Sequence, residues 1–193
     1  IKLSSTSLNF LKKCINNEKE NFNKRLAGNI EKSYLIKDKN NWFFKTVLAP
    51  CIEKYIKEFT ADGIPDVLTK DCEYILSKFW VNYQKKTQFN PLHTHSGVFS
   101  FVIWINIPSS FEKEAQVKFI KHSNLPSASL FQFQYTTSLG QMKSMDYKLD
   151  SNSEGTMLFF PAKLPHQVYP FYTSNKTRVS VSGNICLNPD KPL

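Results

Sequence analysis

The 193-residue chain has little of what usually marks a site: four histidines, six glycines and four cysteines. Cys14, Cys51, Cys72 and Cys186 stand far apart with no CxxC pair, which argues against a zinc knuckle or a redox dithiol and leaves reduced, buried small hydrophobes as the expected role. No apolar run approaches the ~18 to 20 residues of a membrane span, and the first thirty residues lack a signal-peptide core. A soluble, intracellular (cytoplasmic) protein with no membrane partner is expected. Long runs of one charge are also missing. The net charge of +9 is spread, with 13 Lys/Arg against 8 acids in residues 1–70 and 12 against 8 in residues 71–193. A dedicated nucleic-acid binder is therefore weakly supported, although anionic partners stay open.

What the chain does have is apolar bulk. Hydrophobic residues make up 41% and aromatics 14%, with sixteen Phe, enough to offset the entropy of ordering one compact core. At this length one domain, 1–193, is the default. Leu8, Leu11, Cys14 and Ile15 recur at helical spacing and predict a helix within 6–27. Phe44, Val47, Leu48, Cys51, Ile52, Tyr55 and Phe59 trace a second apolar face, with Pro50 expected to kink or split it and "DG" at 62–63 to close it. From about residue 73 the texture changes. "CEYILSKFWVNYQ", "GVFSFVIWINIP", "AQVKFIKH", "SLFQFQY", "GTMLFFP" and "TRVSVSGNICL" read as strands, punctuated by Pro, Asn, Ser and Gly. Helices followed by strands predict a mainly β fold with N-terminal helices: a helical flank at 1–70 and a double-sheet barrel or jelly-roll core at 73–188.

Half of the scarce imidazole falls in "NPLHTHSG", as His93 and His95. Residues i and i+2 of an extended segment share a face, so both rings can aim at one point, as a strand end presents two ligands to a metal. An HxH pair alone is weak, because surface histidines are common. Further on, "GTMLFFPAKLPHQVYPFYTSNKTRVSVSGN" holds a hydrophobic strand, Pro161, His166 and, twelve residues later, Arg178 entering a strand of alternating small residues.

This arrangement resembles the C-terminal half of the Fe(II)- and 2-oxoglutarate-dependent oxygenases over residues ~80–186. The nearest subset is a bacterial and phage group with HxH in place of HxD and an "RxSxSxN"-like ending. The resemblance implies a double-stranded β-helix (cupin-like), with His93, His95 and His166 as metal ligands. It implies Fe(II), 2-oxoglutarate and O2 as cofactor and cosubstrates, with Arg178 clamping the far carboxylate and Ser180 adding a hydroxyl. A guanidinium matches a carboxylate bidentately, and a facial set of three ligands leaves positions on iron for the oxo acid and O2. Tyr83, Gln84, Trp104 and Asn184 are softer pocket candidates, with core packing the stronger role for Trp104. His122 is expected to be structural or exposed.

The chain departs from the family pattern at His95, since no Asp or Glu occurs between Glu73 and Glu112. Three histidines are the favoured set. A two-His site, or a carboxylate from elsewhere such as Asp146 or Glu154, stays open. The implied activity is a dioxygenase reaction releasing succinate and CO2, usually with hydroxylation. Similarity to prolyl and aspartyl/asparaginyl hydroxylases favours a protein or peptide side chain as prime substrate over nucleic acid. The rivals are a three-His cupin-type dioxygenase without 2-oxoglutarate and a non-catalytic jelly-roll binding or structural module.

Overall fold

The structure, a computed structural model, describes residues 1–17, 20–59 and 72–192. Helix α1 (Ser5–Asn16) starts where the Ser4 hydroxyl accepts the Ser7 amide, and buries Leu11 and Ile15. It is shorter than expected. Past Asn17 the apolar period gives way to Asn, Glu and Lys, and the chain forms strand β1 (Glu20–Asn21) and a 3-10 turn at Asn23–Arg25.

The second apolar face is one π-helical turn at Phe44–Leu48 running into α2 (Ala49–Glu58). The Asp38 carboxylate accepts the Phe43 and Phe44 amides at 2.8 Å each. Pro50 falls in the first turn of α2, where a missing N–H costs least, and the widened π turn precedes it. The expected "DG" stop lies outside the described residues. No helix among the described residues is long and apolar enough to cross a membrane.

The remaining strands are β2 (Lys32–Leu35), β3 (Cys72–Gln84), β4 (Asn90–His93), β5 (Phe99–Asn106), β6 (Leu130–Thr136), β7 (Met142–Lys148), β8 (Met157–Pro161), β9 (His166–Val168) and β10 (Arg178–Pro192). They form two antiparallel sheets, ordered β1-β2-β3-β10-β5-β8 and β4-β9-β6-β7: a mainly β jelly roll, the double-stranded β-helix expected. Two expectations need correcting. Residues 1–70 are not only a helical flank, because β2 pairs with β3 and extends the larger sheet. "AQVKFIKH" is not a strand. A helical turn (α3, Phe111–Glu114) passes into further turns whose Ile120 and Lys121 amides both bond the Val117 carbonyl, so no ladder can form.

Alternation along the two central strands separates core from cavity. Phe79 and Val81 of β3 and Val181 and Ile185 of β10 pack with Leu11, Phe43 and Leu48 of the helical side. The intervening residues face the opposite way, toward the smaller sheet. Gly183 sits in this core because Phe101 leaves no room: a Cβ there would lie 2.7 Å from the ring and 2.8 Å from the Lys78 carbonyl oxygen.

Candidate active site

Antiparallel pairing sets His93 of β4 directly opposite His166 of β9. His95 follows two residues beyond, its amide bonded to the Ala162 carbonyl at 2.8 Å. The three rings converge, with centroids 4.4 to 4.9 Å apart and one ring nitrogen from each lying within 4.8 Å of the others. Among the described residues this is the only group of three or more His, Cys, Asp or Glu placed to share a metal ion.

Two of the three rings are held in the tautomer a metal ligand needs. His93 Nδ1 lies 2.7 Å from the Pro91 carbonyl and His166 Nδ1 lies 2.9 Å from the Leu164 carbonyl. A carbonyl only accepts, so each Nδ1 carries the proton and each Nε2 keeps its lone pair for the centre of the cluster. His166 Nε2 meets His95 Nε2 at 3.2 Å. Burial holds all three imidazoles neutral. It lowers His93, pushes His95 down to about 3 with help from its two neighbours, and His166 to about 4. Phe131, Phe133 and Phe160 surround His166 and supply the desolvation.

The open carboxylate alternatives are not seen. Asp146 accepts from Gln132 and Glu154 from the Ile107 amide, and neither joins the histidines. His122 is exposed and lies in a turn rather than on a strand.

Arg178, the first residue of β10, is 1% exposed and lines the same cavity of ≈560 Å³ as the histidines. Its Nη1 donates to Gln84 Oε1 and the Tyr169 carbonyl, both at 3.3 Å, and its Nη2 to Ser129 at 2.8 Å and Ser109 at 3.3 Å. The expected open fork is therefore filled by protein acceptors, and Nε is left buried without one. The guanidinium lies 4.8 Å over Phe171. Desolvation lowers it to about 9 while Glu114 pulls the other way, so it remains cationic at neutral pH.

No carboxylate among the described residues forms an ion pair with Arg178. Glu114 offsets part of this buried charge without touching it, and a carboxylate that met the unpaired Nε–H or displaced a side-chain acceptor would offset more. The residues thus fit a 2-oxo diacid at this end and a divalent metal at the histidines.

Ser180, Trp104, Gln84 and Asn184 line the cavity as well, while Trp104 also packs edge-on against Phe131. Tyr83 does not. Strand parity turns it to the helical side, edge-on to Tyr34, and so removes it from the cosubstrate contacts. Sequence reasoning missed Ser109, Ser129 and Glu114. Glu114 is fully buried and accepts the Tyr172 amide at 2.7 Å, the Thr173 amide at 2.9 Å and the Thr173 hydroxyl, fixing the segment that carries Phe171.

A double-stranded β-helix with three inward histidines and a buried cation in one cavity defines a jelly-roll protein with a candidate metal centre. More particularly, the family model described as "Putative 2OG-Fe(II) oxygenase" matches residues 78–184, and the chain belongs to this family of 2-oxoglutarate- and Fe(II)-dependent oxygenases.

The structure is similar to a prolyl-4-hydroxylase from Pseudomonas putida, at TM-score 0.51 and 12% identity over 96% of this chain and 89% of that one. It is also similar to the viral collagen prolyl hydroxylase of Paramecium bursaria Chlorella virus-1 in its 2OG complex, at 0.52 and 13% over 95% and 91%. At these identities the likeness establishes the fold. A search of curated proteins gives no match.

Proposed function

We propose that the protein hydroxylates a C–H bond of a protein or peptide side chain, consuming 2-oxoglutarate and O2 and releasing succinate and CO2. The observation that carries this reading is the buried Arg178 guanidinium, in no direct ion pair among the described residues, sharing one cavity with three converging histidines. His93, His95 and His166 would hold the iron. Arg178 and Ser180 would hold the far carboxylate of the cosubstrate. Fe(II), 2-oxoglutarate and O2 together supply oxidising power that no side chain has.

The chain's own part is positioning. The Pro91 and Leu164 carbonyls lock two imidazoles with Nε2 inward. A wholly neutral ligand set leaves more positive charge at the metal than a carboxylate set would, which strengthens attraction for an anionic cosubstrate. Trp104, Phe131 and Phe160 give the cavity an apolar wall beside the histidines. Arg178 fixes one end of the diacid, so that the oxo-acid end faces the histidines.

Iron content and succinate formation in two variants test the reading. Arg178→Ala is expected to keep stoichiometric iron and lose 2-oxoglutarate turnover, and His166→Ala to lose both. Oxygen consumption that needs the histidines but not 2-oxoglutarate or Arg178 would favour the three-His cupin reaction instead.

A further inference from the structure

The cavity continues past the histidines, away from Arg178. On β3 and β10 the cavity-facing residues pair in rungs: Gln84 with Arg178, Asn82 with Ser180, Trp80 with Ser182, and Lys78 with Asn184. Six residues of strand separate Arg178 from Asn184, or ~20 Å at about 3.3 Å per residue. That is longer than a five-carbon diacid. His95 packs on Trp80 at 5.7 Å between centroids, so the Lys78–Asn184 rung lies one step beyond the metal cluster on the side remote from Arg178.

This outer end is rich in donors. Asn184 is nearly buried, and its Oδ1 accepts from the Ser100 hydroxyl at 3.1 Å. The single Ser100 proton is shared between this oxygen and the Gly183 carbonyl at 2.9 Å, and the Asn184 NH2 is the group left toward the cavity that Asn184 lines. The Lys78 ammonium forms no ion pair among the described residues, and Arg25 borders the same mouth. One acid, Glu20, stands there also, on the outermost strand β1.

We propose that the Lys78–Asn184 rung receives a carboxylate of the prime substrate, and that this substrate is an acidic peptide segment. The proposal rests on the reading that 2-oxoglutarate occupies the Arg178 end. An ammonium beside an amide NH2 suits a carboxylate and discriminates against its neutral amide, because charge-assisted hydrogen bonds are the stronger ones.

Binding to the full chain, Zn(II)-substituted and saturated with 2-oxoglutarate, tests it. The probes are acetyl-Gly-Gly-Asp-Gly-Gly-amide, its Asn counterpart, free aspartate and a hexathymidylate. Calorimetry gives the affinities, and the side-chain amide resonance of Asn184 reports the place. The Asp peptide is expected to shift that resonance and to bind about tenfold or more tightly than the Asn peptide. Lys78→Gln is expected to abolish that preference while 2-oxoglutarate affinity stays unchanged.

Equal affinity for the two peptides, no shift with either, or a preference that survives in Lys78→Gln overturns the proposal. Tighter binding of free aspartate overturns the peptide assignment, and tighter binding of the oligonucleotide overturns the carboxylate. Failure of 2-oxoglutarate itself to bind would instead count against the cosubstrate reading, and the same peptides titrated into protein without it still probe the outer rung.

Discussion

Arg178 Nη2 donates to the Ser129 hydroxyl at 2.8 Å in a place where neither group reaches solvent. Ser129 holds this position in a left-handed backbone conformation, φ 50°, and its hydroxyl also contacts Ser109 at 2.9 Å. Two loops distant in sequence thus set the direction of the one buried cation. Ser129→Ala leaves a guanidinium N–H unpaired, and removing one partner of a buried hydrogen bond costs about 1–3 kcal/mol. The expected result is lower stability in denaturant, together with a raised KM for 2-oxoglutarate and unchanged iron affinity. Ser109→Ala, at the longer 3.3 Å bond, is expected to do the same more weakly.

Glu114 acts on the other side of the guanidinium. It accepts the Tyr172 and Thr173 amides and so holds the chain that places Phe171 beneath Arg178. Glu114→Gln offers one oxygen acceptor where there were two and removes the negative charge that favours the Arg178 cation. Cosubstrate KM is expected to rise about tenfold, with melting temperature reduced and metal stoichiometry kept. An unchanged KM would make Glu114 a purely structural anchor.

Gly183→Ala tests the packing behind the cavity wall. The new methyl would meet the buried Phe101 ring and a backbone oxygen, and overpacking of this kind costs about 1–3 kcal/mol. Urea denaturation is expected to show the loss. A neutral outcome would mean that β5 and β10 can separate at no cost.

The metal-free protein should weaken in acid. The cluster histidines titrate lower in the folded chain, about 3 for His95 and about 4 for His166, than near 6.5 when unfolded. Below pH 6.5 the unfolded chain therefore binds more protons, and stability falls as pH drops from about 6.5 toward 4. Denaturant midpoints at pH 7.5, 6 and 5 should decline, and His166→Gln should flatten the slope.

The histidine cluster and the buried cation were legible in the sequence because imidazole is scarce and chemically distinctive, and because an HxH pair in extended chain has one geometric consequence. β3 could be read to its ends from its apolar and β-branched run. β7 could not: "MKSMDYK" is nearly all exposed at a sheet edge, so no burial pattern marks it. β4 and β9 are short, and β4 carries Pro91, which reads against a strand.

Tyr83 was misplaced because sequence alone did not fix which parity of β3 faces the cavity. Gln84, one residue on, takes the place beside Arg178. Ser109, Ser129 and Glu114 lie in loops or a single helical turn, and their contacts with residues 172–178 span 49 to 69 positions, a separation that no local pattern encodes.

The most direct test is anaerobic titration of the Fe(II)-loaded protein with 2-oxoglutarate, watching the visible absorption that accompanies chelation of iron by the 2-oxo acid. The wild type is expected to develop a saturable band at one equivalent, Arg178→Ala to need much higher concentrations, and His166→Ala to show none. A wild type that binds iron stoichiometrically yet develops no band, or an Arg178→Ala titration that overlays the wild type, would contradict the account.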